Sequence, residues 1–491
     1  NGLGLAYNDA RSHLDIGRRV VEGLKPGLAQ IGSVWLPLPH LLMVPTIWND
    51  FMWHTGLAGA VVSMISFVAT NILIFKFLDR LNVSMLGRIL GMAIFSLNLN
   101  VLYLQSTAMT ELLLMATMMA GSYYLLCWYQ KDATLDLVKS AFWIMMSTLV
   151  RYDGWFLLMI SGALVFLHTF KKKNYSTAEG TTILFGTLAG FGIALWFLWN
   201  LVIFKDPLYF VFGPYSAHSQ QQQLDASGNL ATKGNLGLSL KIYTYALLYN
   251  SYTLPAVLAL FGIWAFYADK KQTLDSKVAS LSLFAPIAFN ILALYLGHSV
   301  LFIQGLSGNS WFNVRYGVMV MPAIAVFIAI LFDKAGSLKS TLVGILAFVL
   351  FFAFANQDAV TIDDARYGSS QKNVSEVSGW LKENADKPGF ILISAASHDA
   401  IIFSSGYPMA KFIHEGTGVY WESATIVPDK WARWIIMRTY DDGDQTWRLV
   451  SRTKGFGNYV KVGEYPFADI YELRPEYLGT LNTKPIFKNQ K

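Results

Sequence analysis

Charge is the scarcest thing in this chain. Only 14% of its 491 residues are Asp, Glu, Lys or Arg, against about a quarter in soluble domains, while 54% are hydrophobic. A single cysteine, Cys127, lies in an apolar stretch, which excludes a disulfide framework. The sequence has no phosphate-binding glycine loop, no nucleophile-elbow pattern and no cysteine cluster, which argues against nucleotide-driven transport. Its eight histidines show no metal-ligand spacing. It has no internal repeat and no visible signal peptide, and residue 1 is Asn rather than Met. The expectation is therefore a natural chain that starts upstream, with one more spanning helix before residue 1.

What charge there is falls in an alternating pattern. Apolar runs are separated by short breaks carrying Lys76, Arg80 and Arg88, then Lys131 and Lys139, then Lys171, Lys172 and Lys173, then Lys270, Lys271 and Lys277, then Lys334 and Lys339. The breaks between these hold isolated groups instead: Asp9, Glu111, Arg151 with Asp153, and Arg315. An alternating excess of Lys and Arg is the positive-inside signature of a polytopic membrane protein. It puts the isolated groups on the extracytoplasmic face. The net charge of +6 is accounted for by those turns, without a nucleic-acid partner.

Apolar runs of about 20 residues place roughly ten spans at 53–78, 85–104, 109–129, 136–150, 154–170, 180–204, 244–268, 278–297, 316–333 and 338–356. Residues 1–52 read as a first external loop. In it, an amphipathic helix from Ala10 to Leu24 lies on the membrane surface, and an apolar segment is broken by Pro37, Pro39 and Pro45. Residues 205–243, rich in Gln, Ser, Gly and Asn, read as a mobile external loop. From 357 to 491 the composition turns to that of an extracytoplasmic α/β domain, with strands at Phe390–Ser394 and Trp434–Met437 and helical stretches at 371–384 and 428–433. Residues 1–356 form the membrane-embedded unit.

Each isolated group has a chemical and a structural reading. Asp9 suits a general base or a metal ligand at the membrane boundary, or simply the N-cap of the following helix. Glu111 opens an otherwise uncharged span, which points to a cavity or to pairing with the helix dipole. Arg151 suits a lipid phosphate with Asp153 as its partner, or the two form a structural ion pair flanked by Tyr152 and Trp155. Arg315, beside Tyr316, suits an anionic lipid ligand or snorkels to ordinary lipid. His40 and His218 are external and read more readily as hydrogen-bonding groups than as metal ligands.

The stretches Tyr7-Asn8-Asp9-Ala10-Arg11, Gln105 to Glu111, Leu149 to Trp155, Asn200 to Phe210 and Asn313-Val314-Arg315-Tyr316-Gly317 recur in the order seen in GT-C-fold glycosyltransferases. The chain resembles the prokaryotic relatives of protein O-mannosyltransferases and of the lipid A aminoarabinose transferase. That resemblance implies inverting transfer of a hexosyl or pentosyl group from a polyprenyl-phosphate donor to a hydroxyl on a glycan, lipid or protein, at the outer face of the cell membrane. It implies Asp9 as general base and Glu111 as the residue orienting donor or acceptor. Arg151, Arg315, Arg11, Asp153, Tyr316, His40 and His218 become candidates for holding lipid phosphate or sugar. The chain departs from the family in having Asn8-Asp9 where relatives carry paired acids, so a divalent metal is an option the residues do not require. A lipid-linked sugar flippase or transporter is the alternative, and a non-catalytic scaffold a third reading.

Overall fold

The computed structural model describes residues 3–213, 216–226, 228, 230–367 and 371–483. Seven of its helices are long and apolar enough to cross a membrane: Leu57–Arg80, Glu111–Lys131, Asp153–Lys172, Tyr175–Phe204, Leu274–Tyr295, Val314–Lys334 and Gly336–Tyr367. The protein is a multi-pass helical membrane protein with a small C-terminal mixed sheet. An eighth span forms if Leu236–Ser251 and Thr253–Ala268 count as one, but they meet at 105°, so the single span expected at 244–268 is broken in the middle. The expected span at 85–104 is two helices, Met85–Ser96 and Leu99–Leu104, because the Asn98 side chain accepts from the Val101 N–H and caps the second. The one at 136–150 is the 15-residue helix Thr134–Thr148.

The Lys-bearing turns gather at one end of the bundle. Lys172 lies 2.9 Å from Asp275 and 3.5 Å from Asp132, Lys334 pairs with Asp269, Gln130 donates to the Arg80 carbonyl, and Asp333 accepts from the Ser84 N–H. Charge alternation along the sequence is thus sidedness in space.

Two spans form the middle of the bundle. Glu111–Lys131 and Val314–Lys334 are each 89% buried, against 17–50% for the other five. Both begin at the end away from the lysines, so Glu111 and Arg315 enter the same buried region. The close fit depends on two glycines. A Cβ on Gly317 would lie 2.3 Å from the Ala246 carbonyl oxygen, and one on Gly154 would lie 2.3 Å from the Ser147 backbone. No side chain fits at either position, so each glycine lets the nearby arginine approach the neighbouring helix.

Three α-helices precede the first span, α4 (Leu57–Arg80): α1 (Asn8–Val21), α2 (Leu38–Ile47, with Pro45 inside it) and α3 (Asp50–His54). The amphipathic helix is therefore real, two residues earlier at its start and three at its end than expected. The 205–243 region carries helices Tyr209–Phe212 and Ala217–Ala226, while positions 214, 215, 227 and 229 of that expected loop lie outside the described residues.

The C-terminal sheet contains β1 (Phe390–Ile393), β2 (Phe412–Ile413), β3 (Ala432–Met437), β4 (Tyr459–Glu464) and β5 (Asp469–Leu473) in the order β2-β1-β3-β5-β4. β1 pairs in parallel with β2 and β3, whereas β5 runs antiparallel to β3 and β4. The expected strands correspond to β1 and β3, and the helix at 371–384 is present. The helix expected at 428–433 is one 3₁₀ turn, Pro428–Lys430, after which β3 begins. One hydrophobic core runs from the bundle through Ala10 and Leu14 of α1 to Ile391, Trp434 and Ile436 of the sheet, and helix Ala395–Ser405 of the C-terminal unit packs against α1.

Candidate active site

The helix that carries Asp9 starts at Asn8 with Tyr7 as its cap residue, so Asp9 sits inside the first turn and is not the N-cap. Its carboxylate pairs with Arg315 instead: Arg315 Nη2 lies 2.5 Å from Asp9 Oδ2. The same guanidinium donates from Nε to Glu111 Oε1 at 3.1 Å, and its Nη1 is 3.8 Å from Asp364 Oδ2. Arg151 reaches Glu111 from the other side, with Nη1 3.4 Å from Oε1, and also donates to Thr110 Oγ1 at 3.3 Å and to Asp153 at 3.4 Å. Asp153 in turn accepts from the Asn290 amide at 3.3 Å. The result is a chain of alternating charge, Asp9–Arg315–Glu111–Arg151–Asp153, whose members are as much as 306 residues apart. Five of the residues singled out in the sequence are thus brought together.

Aromatic rings and amides fix this chain in place. Arg315 lies 4.7 Å from the Tyr7 ring centre and 5.3 Å from that of Tyr316, and Arg151 lies 4.8 Å from Tyr316. Tyr316 therefore separates two cations with a ring face attractive to both. The Tyr7 hydroxyl donates to Asp364 at 3.0 Å and to the Thr361 carbonyl at 2.8 Å. Asn250 donates to the Val314 carbonyl at 2.7 Å, and its own carbonyl accepts from Asn98 and Asn100. Asn100 also accepts from the Thr361 N–H at 3.0 Å. Buried amides in an apolar bundle bond where they are placed or cost heavily, so this set fixes the turn at Arg315 and the helix Val360–Tyr367 together.

The two ends of the chain differ in freedom. Glu111 is fully buried, and its Oε2 takes no hydrogen bond among the described residues. Arg315 has a side chain only 5% exposed, with three carboxylates around it. Arg151 is one-fifth exposed, all its bonds are long, and a guanidinium has five donors, so it has capacity to spare. Asp9 is 41% exposed, with only Oδ2 committed to Arg315.

His13 lies one turn beyond Asp9 on α1. Its Nδ1 is 2.8 Å from His40 Nε2, and its ring packs 4.3 Å from that of Trp35. Burial, and then the field of Arg151 and Arg315, pushes His13 down to about 3, so it is neutral at pH 7. His40 thus approaches the site through His13. Arg11 and His218 stand apart from the charge chain. Arg11, two positions along α1, points toward the C-terminal unit, and His218 bonds Gln222 at 2.9 Å. Asp364, Tyr7, Asn290 and Thr110 belong to the site but were not singled out from sequence. For Asp364 a signal existed: the pair Asp363-Asp364 lies a few residues past the last apolar run, after Asp358. Asp9 and Glu111 are bridged by Arg315, and among the described residues no group of three His, Cys, Asp or Glu side chains is placed to hold a metal ion.

His13 and His414 give the protein a defined acid response. His414, buried in the C-terminal unit, is also held at about 3, by burial and then by the field of Arg19. A folded value below the unfolded one means that stability is full above about 6.5 and is lost as pH falls toward 3. Asp15 and Asp399 are pushed up by burial, so their contributions run the opposite way, and a variant must isolate the histidine. His414 Nδ1 accepts from the Gly416 N–H at 3.1 Å, a capping role that Asn can fill. Thermal unfolding of His414→Asn between pH 7.5 and 4 should show a flatter acid fall than wild type, by up to about 3 kcal/mol at pH 4. Parallel curves for the two proteins would refute the assignment.

The fold is that of the GT-C membrane glycosyltransferases. Among solved structures it is similar to ArnT from Cupriavidus metallidurans bound to undecaprenyl phosphate, with a TM-score of 0.57, 10% identity, and 96% of this chain and 94% of that one covered. The apo state of ArnT matches at 0.57 and 11% identity, covering 95% and 94%. The archaeal oligosaccharyltransferase AglB from Archaeoglobus fulgidus, in complex with an inhibitory peptide and a dolichol-phosphate, matches at 0.50 and 10% identity, covering 88% of this chain and 65% of that one. No family model and no curated protein matches the sequence. At these identities the likeness is one of fold.

Proposed function

We propose that this protein is an inverting glycosyltransferase that moves a hexosyl or pentosyl group from a polyprenyl-phosphate donor to a hydroxyl acceptor, at the extracytoplasmic face of the plasma membrane. The observation that carries this reading is the charge chain, with a half-exposed carboxylate at one end and a guanidinium with spare donors near the other. Inversion needs the base and the leaving group on opposite sides of the anomeric carbon. The acceptor oxygen forms its bond to that carbon as the bond to the phosphate oxygen breaks. The hydroxyl proton passes to Asp9 through its uncommitted oxygen. The leaving polyprenyl phosphate meets Arg151, whose fixed charge offsets the negative charge that develops. Arg315 and Glu111 act as positioning residues between them. ArnT was solved with undecaprenyl phosphate and AglB with a dolichol-phosphate, which supports a donor of that class.

The test supplies the detergent-solubilised protein with polyprenyl-phosphate sugars and hydroxyl acceptors. Release of polyprenyl phosphate matched by glycosidic product is expected. Movement of lipid-linked sugar across liposomes without any such product would replace this reading with the flippase.

A further inference from the structure

Asp9 and Arg11 are two residues apart on α1, so their side chains leave the helix on nearly opposite sides. Beyond the Arg11 side lies a cavity of about 260 Å³ between α1, α3 and the C-terminal unit, which the transfer chemistry does not use. Its lining brings together Arg11, His54, Lys382 and the hydroxyl-bearing Ser404, with Leu5 and Phe403 as apolar walls and no carboxylate among the lining residues.

Arg11 is the unusual member. It is 1% exposed, and its Nη1 has no hydrogen-bond partner. The acids near enough to act on it are Asp399 and Asp15, and neither lies within ion-pair distance of it: Asp399 is bonded by the Ser12 hydroxyl, and Asp15, one turn along α1, accepts from the Trp53 indole at 3.0 Å through Oδ1 while its Oδ2 takes no bond among the described residues. A buried guanidinium N–H left without an acceptor is costly, so the unbonded Nη1 marks a place where an anion would be stabilised. Lys382 has a bland explanation, since it lies beside Gly406 at the C-terminal end of helix Ala395–Ser405, where a cation suits the helix dipole. That explanation does not extend to Arg11, which comes from a different element, α1.

We propose that this cavity is a binding site for a phosphate ester, held by Arg11 and Lys382 with Ser404 as an additional hydrogen-bonding group. A guanidinium and an ammonium converging with a hydroxyl suit phosphate oxygens, and the volume suits a phosphate joined to a group of glycerol or single-sugar size. Leu5 and Phe403 would contact the carbon part of such a ligand. The ester is either a soluble molecule or the headgroup of a membrane phospholipid, since α1 lies beside the first span. This binding claim does not depend on glycosyl transfer and stands or falls by itself.

The experiment measures acetylation of Lys382 by mass spectrometry, because Lys382 is exposed at the mouth of the cavity and its reaction rate reports the site directly. Lys387, exposed on the same unit, is the internal control. Full-length protein is labelled in phosphatidylcholine nanodiscs with glycerol 3-phosphate or with chloride at matched ionic strength, and in phosphatidylglycerol nanodiscs without additive. We expect labelling of Lys382 to slow at least fivefold with the soluble ester or with the anionic lipid, with Lys387 unchanged. Slowing in phosphatidylglycerol alone identifies the headgroup as the occupant, and slowing with glycerol 3-phosphate identifies a soluble ester. Arg11→Gln removes the protection, and Ser404→Ala, a milder change, weakens it. Equal rates in all arms, or protection that survives Arg11→Gln, overturn the proposal.

Discussion

Arg315→Gln is expected to abolish turnover and to lower stability by about 3–5 kcal/mol, the usual result of removing one partner from a buried charge network. The guanidinium has Asp9 at 2.5 Å, Glu111 at 3.1 Å and Asp364 at 3.8 Å. Glu111 is completely buried and Asp364 almost so, so neither can recover in water what it loses. Glu111 keeps only the long bond from Arg151, and Asp364 keeps the Tyr7 hydroxyl. The loss of activity has a separate origin, because Asp9 is released and the charge chain is cut at its second member. The double variant Arg315→Gln, Asp364→Asn separates the two effects: it should recover part of the stability and none of the turnover. Thermal unfolding and product release, measured on the same preparations, decide this. A single variant that keeps wild-type stability would show that Arg315 is not the hub, and a double variant that regains turnover would remove it from the reaction.

Much of this arrangement was legible in the sequence, because the rules that produce it are one-dimensional. Span length and the side on which lysines accumulate depend on local composition, and the lysine turns do meet at one end of the bundle. Subtracting them leaves Asp9, Glu111, Arg151, Asp153 and Arg315, which the fold brings into one chain of ion pairs. The residues that escaped notice depend on three-dimensional closure. Asp364 lies past residue 356, where the composition turns soluble, yet the helix Val360–Tyr367 packs against the bundle and is pinned by Asn100. The break at Tyr252 was also hidden. A residue with φ of +63° that is neither Gly nor Asn gives no turn signal, and the strain is imposed by packing. Arg11 shows what helical geometry adds: two positions from Asp9 on the same helix, it lines a different cavity.

Asp9→Asn is the second large effect and the sharper test of mechanism, because it changes charge and basicity while keeping shape. The Asn carbonyl can still accept from Arg315 Nη2, so the positioning bond survives in neutral form. Asp9 is 41% exposed, and its replacement strands no buried group, so unfolding should shift little. Donor binding should also persist, because Arg151, at the far end of the chain, is untouched. What disappears is the acceptor of the hydroxyl proton. A positioned base contributes typically 10²–10⁴-fold, so kcat should fall by about that factor with the KM for the polyprenyl-phosphate sugar nearly constant. The split between the two constants distinguishes the roles open to this carboxylate. If Asp9 served only to hold Arg315 in place, Asn would preserve most of kcat. If it bound the donor, KM would rise instead. Asp9→Glu, which restores a base at the wrong distance, should recover part of the rate that Asn loses, and equal activity of the Asn variant and wild type would remove Asp9 from the chemistry.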